Sequence, residues 1–70
     1  MNWTATPESS TLSRFRYVRE TMVLTVEFQN GGRYDYYDVP ERIVEAMRAA
    51  ASKGQFLAKN IKGSYRYARV

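Results

Sequence analysis

Neither cysteine nor histidine occurs among the 70 residues. That double absence excludes disulfide staples, the thiolate and imidazole ligand sets of zinc, and nucleophilic machinery built on a histidine base. Long apolar runs are missing too. No stretch approaches the roughly 20 apolar residues that span a bilayer, and residues 1–8 lack the basic start and apolar run of a signal peptide. The expectation is therefore a cytoplasmic chain with no membrane partner and no cofactor. Acidic residues are absent from one part of the chain: none of the seven follows Glu45. Arg48, Lys53, Lys59, Lys62, Arg66 and Arg69 fill that region, and the net charge is +4. Such asymmetry suits a surface facing phosphate or an acidic partner, or simply a solvated basic face.

Seventy residues hold one small domain, which at this size buries only about 60% of the unfolded chain's surface. Residues 1–8 read as a loose entry segment, residues 9–65 as the domain, and residues 66–70 as a basic tail. Tyr65 to Val70 alternates but is short, so an edge strand is the alternative to a docked Tyr65 with the rest loose. Within the domain, Leu12 to Arg19 places Phe15 and Tyr17 on one strand face. Met22 to Phe28 places Met22, Leu24, Val26 and Phe28 opposite Val23, Thr25 and Glu27. Arg19-Glu20-Thr21 is short enough to join the two as a hairpin. Asn30-Gly31-Gly32 is a second hairpin turn, because Asn and Gly accept the positive φ that tight turns require. It leads into a strand with Tyr34 and Tyr36 on one face and Asp35 and Tyr37 on the other.

Helical spacing begins after Pro40. Asp38-Val39-Pro40-Glu41 has the spacing of a capping box, with Pro40 suited to the first turn. Ile43, Val44, Met47, Ala50 and Ala51 then share one arc. Ser52 with Gln55 marks a second helix start. On that helix Phe56, Leu57 and Ile61 share a face, Gln55, Lys59 and Lys62 share the opposite one, and Gly63 is the stop. The predicted class is α+β: a three-stranded antiparallel meander followed by two helices packed on one face, in the order β-β-β-α-α.

The string Gly32-Arg33-Tyr34-Asp35-Tyr36, then Val39-Pro40, Ala51-Ser52-Lys53-Gly54, Ile61 and Tyr65, resembles the KTSC domain, named for the C-terminus of some lysyl-tRNA synthetases. The Tyr-x-Tyr hallmark falls on Tyr34 and Tyr36. In the first strand the family tends to carry Gly-Tyr-Asp where this chain has Arg16-Tyr17-Val18. The resemblance implies a domain rather than an activity, and assigns structural roles to Gly32, Tyr34, Tyr36, Pro40, Ser52, Gly54, Ile61 and Tyr65. RNA binding is implied only through attachment to a synthetase.

The residues themselves point to binding rather than catalysis. Asp35 and Asp38 fall on opposite strand faces, and Glu41 and Glu45 sit beside arginines on an exposed helix face, where charge pairing is ordinary. Aromatic and basic residues interleave, as they do where bases stack beside cations that hold phosphates. The expected function is a non-catalytic RNA-binding module, with Lys53, Lys59, Lys62, Arg66 and Arg69 toward phosphate and Tyr37 and Tyr67 toward bases. Alternating strand aromatics also build cores, and that is the reading for Tyr34 and Tyr36. The alternative is a protein-interaction or adaptor domain, or self-association, through an outer sheet face of Arg14, Arg16, Val18, Val23, Thr25 and Tyr37. A third reading, a nucleotide-like small ligand, needs a concave site of a few hundred Å³.

Overall fold

A computed structural model describes residues 3–70. Strands β2 (Leu12–Val18), β3 (Val23–Phe28) and β4 (Arg33–Tyr36) form where apolar and polar residues alternate. Their inward side chains Leu12, Phe15, Leu24, Val26 and Tyr36 are buried, with Tyr17, Phe28 and Tyr34 packed partly against them. Helix α1 (Glu41–Ala49) adds Val44 and Met47 to this core, and the segment after helix α2 (Lys53–Phe56) adds Leu57 and Ile61. The mixed α+β reading is thus correct, and the helices cover one face of the sheet.

The sheet, however, has five antiparallel strands in the order β1-β2-β3-β4-β5, not three. Strand β1 (Thr4–Ala5) pairs with β2, and β5 (Tyr67–Arg69) pairs with β4. Both lie where the pattern alone predicts a loose entry segment and a basic tail. Met1 and Asn2 lie outside the described residues. The two-residue β1 is too short to display alternation, whereas Tyr65 to Val70 does alternate, and the edge strand, the alternative there to a loose tail, is what forms. Thr6 anchors the entry segment: it is fully buried, its hydroxyl donates to the Leu12 carbonyl at 2.6 Å, and its N–H donates to Ser13 O at 3.1 Å.

Local chemistry differs from expectation at three further points. Met22 belongs to the β2–β3 turn, exposed and at φ 59°, rather than to the strand face. The capping box does not form. Pro40 itself is the N-cap residue of α1, with no side-chain cap, while Asp38 adopts φ 60° and its carboxylate faces Arg66 at 3.6 Å. Ala50 is extended and ends α1, so Ala51 is exposed and outside the helix. Ser52 does cap α2, its hydroxyl accepting from Gln55 N–H at 3.4 Å. Helix α2 then widens into a π-helical turn, Leu57–Ile61, closed by Lys62 N–H to Leu57 O at 2.8 Å.

Away from the helices, the outer sheet face is polar. Glu27 stands between Arg14 and Arg33, hydrogen-bonded to both, and these contacts hold its carboxyl below the ordinary range, with Arg14 the larger cause. Thr25, expected to be exposed, is buried and donates to Asp35 at 2.6 Å. Trp3 lies over this row, its ring centroid 4.1 Å from the Arg14 guanidinium carbon and 4.9 Å from that of Arg16. Trp3 therefore docks on the arginines of the sheet rather than on the core.

Candidate nucleic-acid interface

The fifth strand forms one wall of a concavity. Its register sets Tyr67 opposite Tyr36 and Arg69 opposite Tyr34. Directly paired residues share a face of the sheet, so Tyr67 and Arg69 join the core-facing side. There they extend a chain of aromatic rings. Phe28 meets Tyr34 edge-on at 5.6 Å, Tyr34 lies 5.8 Å from Tyr67, and Tyr67 lies 5.7 Å from Tyr36. Exposure differs sharply between the rings. Tyr36 is 2% exposed and Tyr67 55%.

The opposite wall is the helical segment, where Gly54, Leu57, Ala58 and Lys62 face the aromatics across a cleft of about 770 Å³. One end is closed by the β3–β4 turn. Gly31 takes φ 91°, and the Asn30 side chain accepts from Gly32 N–H at 2.9 Å. Two cations line the cleft: Lys62, 5.8 Å from the Phe28 ring, and Arg69, 5.7 Å from the Tyr34 ring. Among the described residues, no carboxylate lines it. Burial, and after it the nearby Tyr67 and Tyr34, raises the Tyr36 hydroxyl above the ordinary tyrosine value, keeping it a neutral donor.

Of the candidate contact residues, Lys62, Arg69 and Tyr67 come together here. The others do not. Lys53 is half-buried, bonded to Ala50 O at 3.3 Å and 3.6 Å from Glu8. Arg66 pairs with Asp38 and lies over the Tyr37 ring at 5.3 Å, outside the cleft. Lys59 is exposed but is not part of the wall. It parts from Lys62 because a π turn holds more residues than an α turn, so α spacing misassigns which side chains share a face.

A profile of the KTSC domain matches residues 8–65. The chain belongs to the KTSC domain family. A KTSC domain protein from Yersinia pestis has a crystal structure that superposes with a TM-score of 0.92 at 29% identity, covering 99% of this chain and 96% of that one. A lysine–tRNA ligase of Trichormus variabilis is 41% identical over 64 residues, which are 91% of this chain and 11% of the ligase. An uncharacterised protein of Stutzerimonas stutzeri is 38% identical over 64 residues, 90% of each chain. This chain thus spans about a tenth of the length of the ligases it matches.

The KTSC hallmark residues divide between cleft and core. Gly32, Tyr34, Tyr36 and Gly54 line the cleft. Ile61 is buried in the core, Tyr65 packs against it, Pro40 is the N-cap residue of α1, and Ser52 caps α2. Gly54 allows close approach to the Ser9–Thr11 stretch that leads into β2. A Cβ there would sit 2.8 Å from Ser9 Oγ and 2.9 Å from Thr11 Oγ1. Ser10, Thr11 and Gln29 also border the KTSC cleft, and sequence reading had no signal for them beyond loop polarity.

Proposed function

We propose that this KTSC domain is a binding module for single-stranded nucleic acid, RNA in the first instance, with the cleft as its site. The observation that carries the reading is the half-exposed Tyr67 ring, flanked by Arg69 and Lys62 in a concavity without carboxylates. Base stacking on an aromatic beside phosphate-holding cations is the chemistry of single-strand binding. Tyr67 offers the accessible ring, while Tyr34 and Tyr36 support it from the core side. The similarity to segments of proteins named lysine–tRNA ligase adds an RNA context.

The test is titration of the labelled protein with short single-stranded RNA at two salt concentrations, read by amide shifts and fluorescence anisotropy. Affinity is expected to fall steeply with salt. Replacing Lys62 or Arg69 by Ala lowers the salt slope by about 0.7–1 each, and Tyr67→Ala weakens binding by about 1–3 kcal/mol. Flat salt dependence, or shifts confined to residues away from the cleft, overturns the reading. The cleft volume of about 770 Å³ also favours a second reading, a single nucleotide-like ligand. Saturable binding of a mononucleotide as tight as that of the oligomer would select it.

A further inference from the structure

The cleft continues past Gly54 into a second depression of about 330 Å³, and the two share Ser10, Thr11 and Gly54 in their walls. Their chemistry differs. The first has two cations, a chain of aromatic rings and no carboxylate. The second is lined by hydroxyl, amide and carboxylate groups, among them Ser10, Thr11, Ser52, Gln55 and Glu8, and among the described residues no cation lines it. Lys53 stands 3.6 Å from the Glu8 carboxylate and offsets its charge.

Some of these groups already have partners. Ser9 Oγ accepts from Leu12 N–H at 2.9 Å and from Thr11 N–H at 3.3 Å, and Ser52 Oγ accepts from Gln55 N–H. Ser10 and Gln55 are exposed at the rim, and the Glu8 side chain is 39% exposed. Glu8 is ion-paired with Lys53, so a hydroxyl, a carboxamide and a paired carboxylate line a polar hollow beside a cationic one. A nucleic-acid strand presents the same sequence of chemistry: a charged phosphate, then an uncharged, hydroxylated sugar.

We infer that the second depression is a ribose subsite, in which Ser10, Gln55 and Glu8 hydrogen-bond the sugar hydroxyls, the 2′-hydroxyl included. The inference rests on the cleft holding a nucleic-acid strand. It adds that the domain distinguishes RNA from DNA, since the 2′-hydroxyl is what separates the two at a given site. Carboxylate and amide oxygens accept from a hydroxyl, and the Ser10 hydroxyl and Gln55 amide donate to it, so both roles of the 2′-hydroxyl can be met.

The experiment compares a short oligouridylate with its 2′-deoxy counterpart, identical in base, by fluorescence anisotropy with the full chain. Binding of the ribo-oligomer is expected to be about two- to tenfold tighter, the effect of one hydrogen bond. The double substitution Ser10→Ala with Gln55→Ala brings the ratio to about one, whereas Lys62→Ala weakens both oligomers alike. Both mutated side chains are exposed, and the Gln55 N–H that meets Ser52 is untouched, so the double variant keeps its fold. Equal affinity for the two oligomers in the unmodified protein overturns the ribose subsite and leaves the cleft reading standing. Binding of neither oligomer overturns both.

Discussion

At Tyr36 the ring is 2% exposed, with Tyr34 and Tyr67 close by. Burial first, and the neighbouring phenols second, push its hydroxyl above the ordinary tyrosine value near 10. Tyr17 shifts the same way, chiefly through burial and then through Glu41, with Arg19 opposing; its hydroxyl donates to Val39 O at 2.5 Å. In both cases the folded state holds its proton more tightly than the unfolded chain does. Below the unfolded value both states are protonated and the stabilisation is fully present. As pH rises past about 10 the unfolded state loses protons first, and stability is lost through the folded value. Denaturant midpoints are therefore expected to be steady up to about pH 9 and to fall above about pH 10. Tyr36→Phe should lose less stability over that alkaline interval than the parent. An equal alkaline loss in both proteins would show that Tyr36 does not carry the linkage.

Among the elements, α2 depends on one missing side chain. The Gly54 backbone lies so close to the stretch before β2 that a Cβ would meet Ser9 Oγ at 2.8 Å, and that oxygen already holds the Leu12 and Thr11 N–H groups. Gly54→Ala must displace Ser9 and break its bonds, or move the helix start. The expected loss is about 1–3 kcal/mol, measured by chemical denaturation. The usual gain from replacing helical Gly by Ala, up to about 1 kcal/mol, is what an open site would give instead. This constraint could not be read from the chain, because the glycine's partner lies more than forty positions away, about the whole length of the sheet and α1. The elements that were legible are those whose pattern is local. Phe15, Leu24, Val26 and Tyr36 alternate with polar residues and are buried as expected, and Ser52 caps as its spacing implies. What escaped is short or irregular. The two-residue β1 has no period to show, the alternation around β5 is too short to decide between an edge strand and a loose tail, and the π-helical turn breaks the α spacing that had grouped Lys59 with Lys62. Three of the seven candidate contact residues, Lys62, Arg69 and Tyr67, line one cleft, and two of these are placed there by the pairing of β5 with β4.

Across the whole molecule, charge and chain order set the outer wall of the cleft apart from the folding core, which supplies Tyr36 and Leu57 to its floor. Every buried residue of the apolar core lies between Leu12 and Ile61, whereas the outer wall of the cleft is β5. Glu27 and Asp35 lie on the outer sheet face, while the two cations of the cleft stand on the opposite side of the sheet with no carboxylate between them. Removing residues 67–70 should thus take away Tyr67 and Arg69 and open the cleft without emptying the core. The shortened protein is expected to unfold cooperatively, at a lower midpoint because β4 loses its pairing partner. Its newly exposed edge favours pairing between copies, so sedimentation at two concentrations should accompany the binding assay. Single-stranded RNA binding should fall by at least the effect of the lost stacking ring, about 1–3 kcal/mol, together with a shallower salt dependence. Undiminished binding by a monomeric, folded, shortened protein would move the site away from β5, and the exposed Lys59 and the arginines of the outer sheet would then be the cations to substitute next.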